Sequence, residues 1–544
     1  MTSQTLSDPK TGAVGNQYDA IVVGAGFSGL YLLYRLREQG LRVKVIEAAG
    51  EVGGTWYWNR YPGARCDVES MEYCYSFSDE LQQEWKWTER YPAQSEILAY
   101  LKHVADRFKL RPDIQFETRV RAAHFDEAAN RWTIETDKSD TYTAPFLIMA
   151  SGCLSEPRVP PFKGIETFNG KWYHTAQWPK DPVDFTGQRV GCIGTGSSGI
   201  QVIPKIAEAA KHVHVFQRTP NFSIPAHNGP LDPAYEKALK ARYAEHRQNA
   251  RVSYFGVPCE MTAESAVAAP PEQRKSKFEA AWKYGGATRM LLAYGDLLAN
   301  SAANETVSEF VRGKIHEIVK DPKVAELLSP TDHPLGTKRI CVDTDYYNTF
   351  NRPNVTLVDA RSDPIEEITP TGIKTQNAEY ELDSLVFATG FDAMTGALLN
   401  VDIRGRGGMT LRDKWAYGPV TYLGIAAAGF PNLFMMTGPG SPSVLSNMVV
   451  SIEQHVDWAV DCIRYLRMHG RRSIEATAEA ETKWVAHVNE VADTTLFPKA
   501  NSWYTGANIP GKPRVFMPYV GGVGPYREIC ANIASNGYEG FRVA

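Results

Sequence analysis

The first clear pattern in the chain is a short apolar run at residues 19–23, which predicts a buried strand. A glycine-rich turn follows at 24–29, and residues 30–38 place leucines at helical spacing before Gly40, which suits the end of a helix. A second apolar run at 43–46 predicts another strand. This order of strand, glycine turn, helix and strand is typical of a dinucleotide-binding unit.

The same pattern returns at residues 189–216, where an apolar run precedes Gly194-Thr-Gly196-Ser-Ser-Gly199. In both copies the residue that ends the second strand lies 23 positions after the first glycine: Glu47 after Gly24, and Gln217 after Gly194. One isolated glycine motif is weak evidence, because such turns also serve packing alone. Two copies with equal spacing predict two dinucleotide sites.

The residue after the second strand indicates which dinucleotide each copy binds. Glu47 can accept hydrogen bonds from a ribose diol, so the first copy suits FAD or NAD. At the equivalent place the second copy has neutral Gln217 followed by Arg218 and Thr219, which can hold a 2′-phosphate, so it suits NADPH. The motif residues expected to contact the dinucleotides are Gly24, Gly26, Phe27, Ser28, Gly29 and Glu47 in the first copy, and Gly194 and Gly196 in the second.

The pattern between residues 221 and 329 becomes helical, with an apolar stripe from Val307 to Val319 that reads as plain core. Strand-like runs resume near 355 and 385. The predicted fold class is therefore α/β, with two Rossmann-like domains and an inserted helical subdomain. The expected boundaries are 1–152 with 390–544 for the FAD-binding domain, 153–220 with 335–389 for the NADP-binding domain, and 221–334 for the insertion.

Composition and charge exclude several classes of protein. The 544 residues are 43% hydrophobic and carry a net charge of −4, so no basic field favours nucleic acid or an anionic membrane. Residues 1–17 lack the features of a signal peptide, and the apolar stretch 422–430 is too short to span a bilayer. Eight scattered cysteines without a closely spaced pair favour a cytoplasmic protein and argue against zinc ribbons and redox dithiols. We expect a monomer or a small homo-oligomer.

Between the two glycine motifs, residues 168–179 read Phe-Asn-Gly-Lys-Trp-Tyr-His-Thr-Ala-Gln-Trp-Pro. This stretch matches the F-x-G-x-x-x-H-x-x-x-W-P fingerprint of type I Baeyer–Villiger monooxygenases, and the chain resembles that family over nearly its whole length. Gly54-Thr-Trp56, the stretch 61–67 and Trp503-Tyr-Thr-Gly-Ala-Asn508 fit the same resemblance. The loop 438–446 looks like the active-site loop of the phenylacetone enzyme, and the likeness is closer to the phenylacetone and steroid branch than to the cyclohexanone enzymes.

The resemblance implies an NADPH-dependent flavoprotein monooxygenase. In that family NADPH reduces FAD, the reduced flavin adds O2 at C4a, and the resulting peroxide attacks a ketone, which rearranges to an ester or lactone. The expected partners are a ketone substrate, O2 and NADPH. The resemblance adds further FAD contacts at Gly54, Thr55, Trp56, Asp67 and Tyr73.

A peroxide that must stay anionic needs a cation that does not give up its proton, and arginine meets this requirement. The resemblance places Arg339 in this catalytic role, with Asp67 facing it as an ion-pair partner, and assigns Lys338 with Arg218 and Thr219 to the 2′-phosphate. The alternatives are an ordinary surface arginine, a turn-stabilising aspartate and a solvated basic turn.

His174 in the fingerprint is expected to couple the domains without acid–base work, while Phe168 and Trp178 are expected to pack. Trp56 and Trp503 suit either the cavity wall or an aromatic core. His212 and His214 share one strand face. They are expected to face solvent rather than to bind metal, because no third ligand is in sight.

Three other functions remain open at this point. The nearest is a flavin monooxygenase that acts mainly on sulfides or amines. A pyridine-nucleotide–disulfide reductase also has two Rossmann units, but its chemistry needs a dithiol that the spacing of the cysteines does not supply. A non-catalytic nucleotide-binding module is disfavoured because Asp67 and Arg339 both stand within their motifs.

Overall fold

The structure, a computed structural model, describes residues 15–544. The expectation that residues 1–17 hold no signal peptide falls mainly on 1–14, which lie outside the described residues. The strands, in chain order, are β1 (Ala20–Val23), β2 (Val43–Ile46), β3 (Ile114–Gln115), β4 (Val120–Asp126), β5 (Arg131–Thr136), β6 (Thr141–Ala144), β7 (Phe146–Met149), β8 (Lys171–His174), β9 (Arg189–Ile193), β10 (His212–Gln217), β11 (Ser223–Pro225), β12 (Cys341–Asp343), β13 (Val355–Asp359), β14 (Ile365–Thr369), β15 (Gly372–Thr375), β16 (Glu379–Glu381), β17 (Ser384–Phe387), β18 (Asp402–Arg404), β19 (Leu433–Met435), β20 (Ile474–Ala476) and β21 (Phe541–Val543).

The helices complete the α/β architecture that the sequence predicts. They are α1 (Phe27–Glu38), α2 (Thr55–Trp58), α3 (Asp79–Glu84), α4 (Gln94–Arg107), α5 (Ser197–Ala209), α6 (Pro233–Lys240), α7 (Tyr243–Val252), α8 (Pro271–Tyr284), α9 (Ala287–Leu291), α10 (Ser301–Ile318), α11 (Pro322–Leu328), α12 (Tyr346–Thr349), α13 (Gly396–Leu399), α14 (Leu411–Lys414), α15 (Met448–Met468), α16 (Ala478–Asp493) and α17 (Val523–Ser535).

The first sheet is parallel, with the strand order β19-β7-β1-β2-β3. Its central strands are apolar on both faces, as expected of a parallel sheet covered on both sides. Ala20 and Val22 face a core built with α1 and α15, whereas Ile21 faces a second core under the β4–β6 sheet. Strand β19 comes from the C-terminal part of the chain, so that part completes the first sheet.

The second sheet is also parallel, in the order β13-β10-β9-β17-β8. Its strands lie on both sides of the helical segment α6–α11, so the chain leaves this sheet after β10 and returns to it at β13. The helical pattern expected from residue 221 is wrong at its start. Ser223–Pro225 forms β11, which pairs with β12, because buried Ile224 and the fixed φ of Pro225 favour extended backbone.

One piece of the first unit packs inside the core of the second. Tyr61 and Ala64 are buried in the cluster that contains α5. Gly63, with φ +83°, lies against α5 so closely that a Cβ there would be 2.5 Å from the carbonyl oxygen of Gln201. The Gln201 amide accepts a hydrogen bond from the Tyr61 hydroxyl (2.8 Å) and donates one to the Arg65 carbonyl (3.1 Å). The two units therefore share a buried seam at residues 61–65.

The helix α1 begins at Phe27, inside the glycine turn and three residues before the predicted start, because Gly26 already has the backbone of a helix N-cap. Gly40 follows the end of this helix with φ +69°, the left-handed conformation that ends many helices. All eight cysteines are free thiols. Among residues 15–544 no helix is both long and apolar enough to cross a membrane.

Candidate active site

A cavity of about 1260 Å³ lies where the two parallel sheets meet. It begins at the glycine turns that follow β1 and β9, the carboxyl ends where ligands of doubly wound sheets bind. Typical single-ligand pockets measure about 300–1,000 Å³. The larger volume and the two glycine turns in one wall suit more than one ligand.

In the first unit, the glycine turn lets backbone approach backbone. Gly24 has φ +105°, and a Cβ there would lie 2.5 Å from the carbonyl oxygen of Ala150. Gly26 and Gly54 face each other, and a Cβ on Gly54 would come within 2.9 Å of the Gly26 Cα. No side chain caps the N-terminus of α1, so its N–H groups are open to an anionic ligand.

All but one of the FAD contacts predicted for the first unit lie on the cavity wall. The exception is Gly29, which stands behind the turn: a Cβ there would meet the Gly24 carbonyl oxygen at 1.8 Å. As the third glycine of the motif, it allows the helix to pack closely on the strand. The residues on the wall are Gly24, Gly26, Phe27, Ser28, Glu47, Gly54, Thr55, Trp56, Asp67 and Tyr73.

Glu47 is only 4% exposed and faces the cavity. Its carboxylate accepts hydrogen bonds from the backbone N–H groups of Ala25 (2.5 Å) and Ala49 (2.7 Å). Burial raises the pKa of Glu47, and these N–H groups oppose that rise. Glu47 thus holds the glycine turn and still presents lone pairs to a ribose.

The second unit repeats the geometry of the first. Gly194 has φ +106°, and a Cβ there would lie 2.5 Å from the carbonyl oxygen of Ala388. Gly199 stands behind the turn, where a Cβ would lie 2.2 Å from the Gly194 carbonyl oxygen. Gly194 and Gly196 line the cavity, and no side chain caps α5. The second turn therefore offers the same anion site as the first.

Positive charge gathers at the end of β10. Arg218, Thr219 and Lys338 line the cavity. Burial lowers the pKa of Lys338, and the positive charges of Arg218 and Arg361 lower it further, against the opposing charge of Asp332. Cations held this close together favour an anionic ligand.

Gln217 does not line the cavity, although the sequence pattern points to it. Its side chain is 3% exposed and donates a hydrogen bond to the Leu327 carbonyl at 2.7 Å. The amide is therefore turned toward the helical segment, and the cations beside it face the cavity instead.

Arg339 and Asp67 form a two-point ion pair on the cavity wall. Nε and Nη2 of Arg339 each donate to one Asp67 carboxylate oxygen at 2.8 Å, and Nη1 donates to the Val444 carbonyl at 2.6 Å. The side chains are 32% and 25% exposed, so the guanidinium is partly rather than fully buried. Burial lowers the pKa of Arg339, but the charge and hydrogen bonds of Asp67 outweigh this and raise it, so the cation is permanent.

The comparisons with known proteins agree with this geometry. A family described as pyridine nucleotide-disulphide oxidoreductase matches residues 21–274. A Baeyer–Villiger monooxygenase from Pseudooceanicola batsensis is 46% identical, with 98% of this chain and 97% of the relative aligned. A cyclohexanone 1,2-monooxygenase from an Acinetobacter species is 44% identical over 97% of this chain and 96% of its own length.

The chain belongs to the Baeyer–Villiger monooxygenase family. A solved steroid monooxygenase bound to NADP superposes with a TM-score of 0.93 at 54% identity, covering 97% of this chain and 99% of that one. This supports the predicted steroid branch. The family is one of flavoprotein monooxygenases with FAD and NADP as cofactors. The disulfide-reductase alternative is disfavoured, since all eight cysteines of this family member are free and no two are closely spaced.

In this family member, the fingerprint histidine, His174, lies between two crossing segments of the chain. One, at Arg158, enters the second unit, and the other, at Thr389, leaves it. His174 is 2% exposed, and its Nδ1 accepts the Ala176 N–H at 3.1 Å, so Nε2 carries the proton. Nε2 lies 3.1 Å from the Arg158 carbonyl and 3.2 Å from the Thr389 hydroxyl. Burial lowers the pKa of His174. A neutral imidazole therefore ties the segment that enters the second unit to the segment that leaves it.

The other aromatic residues of the motifs pack as well as line the cavity. Trp178 is 7% exposed and its ring lies 5.3 Å from that of Tyr173 at a tilt of 33°, and Phe168 lies against Gly170. Trp56 lines the cavity and donates a hydrogen bond to the Tyr73 hydroxyl at 3.3 Å. Trp503 also lines the cavity. For both tryptophans, the wall and the packing interpretations hold together.

The expectation that both strand histidines face solvent is wrong for His214. Its ring lies 4.5 Å from that of His212 and 5.1 Å from that of Tyr380, which covers it from β16. Burial lowers the pKa of His214 to about 4. Within residues 15–544 no group of three or more His, Cys, Asp or Glu side chains could hold a metal ion.

Sequence reasoning missed two residues beside the charged groups. Arg361 donates to the Arg218 carbonyl at 3.2 Å and pairs with Asp332 at 3.0 Å. The signal was available, because Arg361 follows β13 as Arg218 follows the adjacent parallel strand β10. Tyr504, inside the 503–508 motif, is 2% exposed; burial raises its pKa and the charge of Arg339 opposes this, which leaves it at about 12.

Proposed function

We propose that this chain inserts one oxygen atom of O2 next to the carbonyl of a ketone and releases an ester or lactone. One observation carries the proposal. The Arg339–Asp67 pair sits in the wall of a cavity that both glycine turns share. A fixed cation beside two dinucleotide sites is what an oxygen-transfer reaction through anionic oxygen atoms requires.

The residues of the first turn fit FAD. The gap between Gly26 and Gly54 is a cradle that a Cβ would fill, and Glu47 lies buried at the ribose end. Bound FAD, once reduced by NADPH, supplies the activated oxygen for the reaction. The FAD contacts in this proposal are Gly24, Gly26, Phe27, Ser28, Glu47, Gly54, Thr55, Trp56, Asp67 and Tyr73, with Gly29 behind them.

In this proposal Arg339 stabilises negative oxygen atoms, first on the attacking group and then on the adduct with the ketone. Three of its five guanidinium N–H groups are committed to Asp67 and Val444, which leaves up to two for these oxygens. Asp67 fixes the plane of the guanidinium through two parallel bonds. Its charge also keeps the arginine protonated.

For NADPH we propose that the N-terminus of α5, with Gly194 and Gly196, binds the pyrophosphate. Arg218, Thr219 and Lys338 would then hold the 2′-phosphate. His174, which joins the two crossing segments, would keep the two units aligned during the reaction. The same proposal assigns 1–152 with 390–544 to FAD, 153–220 with 335–389 to NADP, and 221–334 to the insertion.

Apolar side chains in the cavity wall favour an apolar ketone. Val444, Met448 and Ile452 line the same cavity, and Val68 stands beside Asp67. In this proposal the apolar side chains bind the carbon skeleton, while Arg339 addresses the oxygen. The eight free thiols further support a reducing, cytoplasmic setting.

A ketone panel from phenylacetone to cycloalkanones to steroids tests the proposal. Purified, FAD-loaded protein should consume NADPH and O2 and form ester or lactone, with one labelled oxygen from isotopically labelled O2. A sulfide and an amine run in parallel measure heteroatom oxidation. NADPH consumption without ester from any ketone, but with sulfoxide or amine oxide, would replace the proposed function by that alternative.

A further inference from the structure

Four non-glycine residues with left-handed backbone stand between residues 423 and 443. They are Leu423 (φ 60°), Asn432 (57°), Thr437 (52°) and Ser443 (37°), and all are buried. Such conformations are sparsely populated and persist only where the surroundings impose them. Two of the four belong to residues 437–446, here called the active-site loop, which carries the Val444 carbonyl to Arg339.

A buried histidine holds the start of this loop. The Thr437 N–H donates to Nδ1 of His455 at 3.0 Å. The ring proton is therefore on Nε2, which lies 2.8 Å from the Tyr526 hydroxyl. That hydroxyl donates in turn to the Leu423 carbonyl. His455 on α15 and Tyr526 on α17 thus join two of the strained residues, Leu423 and Thr437.

Both side chains are fixed in this arrangement. His455 is 0% and Tyr526 is 1% exposed, and neither lines the cavity. Burial lowers the pKa of His455 to about 3, so the ring is neutral near pH 7 and Nδ1 remains an acceptor. An imidazolium would present an N–H to the Thr437 N–H and would break the bond.

Hydrogen bonds continue from Thr437 to the guanidinium. The Ser443 hydroxyl donates to the Thr437 carbonyl at 3.1 Å. Ser443 is the first residue of the 3₁₀ turn Ser443–Leu445. The carbonyl of its central residue, Val444, accepts a hydrogen bond from Nη1 of Arg339 at 2.6 Å. The path from α17 to Arg339 is therefore unbroken.

We propose that His455 and Tyr526 are positioning residues that hold the active-site loop in its strained form and so fix the Val444 carbonyl against Arg339. The effect on catalysis rests on the function proposed above. Without the bond from Val444, Arg339 keeps Asp67 but loses its third anchor. A catalytic group displaced by about 1 Å can lose about a hundredfold in rate.

The test uses the FAD-loaded, full-length protein and two measurements. His455→Leu removes both hydrogen bonds, whereas the amide of His455→Gln again supplies a donor and an acceptor. Tyr526→Phe removes the hydrogen bonds of the hydroxyl to His455 and to the Leu423 carbonyl but leaves the bond from the Thr437 N–H to His455. Cys462→Ala, a matched control on the same helix, deletes a buried group in the same core that has no bond to the loop.

The first measurement is the ratio of ester formed to NADPH consumed. We expect His455→Leu to lower it at least about threefold, with hydrogen peroxide making up the difference, while flavin reduction by NADPH stays unchanged. Tyr526→Phe should lie between His455→Leu and the wild type, and His455→Gln should restore most of the ratio. Cys462→Ala should lower the thermal midpoint without changing the ratio.

The second measurement is amide hydrogen exchange of residues 437–446, which needs no ketone. Exchange should accelerate in His455→Leu and not in Cys462→Ala. Wild-type exchange in His455→Leu would overturn the inference, and so would failure of His455→Gln to restore the ratio. If the wild type forms no ester, the proposed function fails, and hydrogen exchange still decides the role of His455.

Discussion

The two dinucleotide-binding units close their turns in the same way and differ in the charge at the end of their second strands. Gly24 and Gly194 each place a would-be Cβ 2.5 Å from the carbonyl oxygen of an adjoining strand's end. At the end of its second strand, the first unit has the buried carboxylate of Glu47, whereas the second turns Gln217 away and presents cations. In the proposed function, the glycine turn sets where a dinucleotide lies, and the charge near the end of the second strand sets which one fits.

The proposed reacting centre, Arg339 with Asp67, belongs to neither unit alone. Asp67 comes from the segment that follows the first unit's second strand, and Arg339 stands just before β12, after the helical segment.

The first prediction, with the largest expected effect, tests whether catalysis can be separated from dinucleotide binding. Arg339→Ala should lower ester formation by about a hundred- to a thousandfold, because the developing oxyanion loses its cation. Reduction of the flavin by NADPH should continue, since both glycine turns are untouched.

The measurement is NADPH absorbance followed together with ester by gas chromatography. Arg339→Lys is the matched control: it keeps the charge but not the two-point bond to Asp67, so it should retain a small part of the activity. Ester formation by Arg339→Ala at the wild-type rate would remove Arg339 from the mechanism.

The second prediction concerns the carboxylate of the first unit. Glu47→Gln replaces one acceptor by an NH2 group that faces a backbone N–H, so FAD should bind about tenfold more weakly or worse. The flavin absorbance per protein after purification and dialysis measures this loss. Gln217→Glu, the equivalent position of the second unit, should leave FAD content unchanged. Equal FAD loss in both variants would mean that the two units are not specialised.

The third prediction concerns the cations of the second unit. Arg218→Ala should lower the preference for NADPH over NADH about ten- to a hundredfold in kcat/KM, because a phosphate loses a charged hydrogen-bond partner. Kinetics with both coenzymes measure the change. Lys211→Ala, at the opposite end of β10, is the control and should change neither coenzyme. An unchanged preference in Arg218→Ala would refute the assignment.

The fourth prediction, with the smallest expected effect, compares β10 with β2. Lys44 in β2 stands at the position equivalent to His214 in β10, counted from the first glycine of each motif. Burial lowers the pKa of His214 from 6.5 to about 4, so between these values the unfolded chain binds more protons than the folded protein. Stability should therefore fall as the pH drops through this window.

The thermal midpoint should fall less between about pH 7 and pH 5 in His214→Gln than in the wild type. The difference in the free energy of unfolding should be less than about 1.4 kcal/mol per pH unit, the limit for one titrating group. Lys44→Gln is the matched change in the first unit and should leave this difference unaltered. An identical pH response in His214→Gln and the wild type would contradict the prediction.

The fold was largely predictable because both units are local patterns. The strands at 43–46 and 189–193 lie where the apolar runs predict them, since a buried parallel strand leaves a continuous apolar signature. The start of the helical segment was not predictable in the same way. Ser223–Pro225 forms a strand by pairing with Cys341–Asp343, more than a hundred residues away, and that pairing is not visible in the local pattern.

The candidate site likewise contains residues that the local sequence predicts and residues that it does not. The glycine turns and Glu47 follow from spacing alone, whereas Arg339 and Asp67 required the resemblance to a family. The turning of Gln217 depends on the Leu327 carbonyl, and the role of His455 depends on backbone strain at Thr437. No pattern of apolar and polar positions encodes a dihedral angle or a carbonyl contributed by a distant helix.

The seam at residues 61–65 limits how this enzyme can be recombined with its relatives. An exchange of the NADP-binding part cut at the crossing segments alone would leave Tyr61 and Ala64 of one parent inside a core built by the other. Gly63 allows no added Cβ against Gln201, so a mismatch there would act as a wedge. Functional hybrids should therefore carry the short stretch 61–65 together with α5, even though the two are far apart in the sequence.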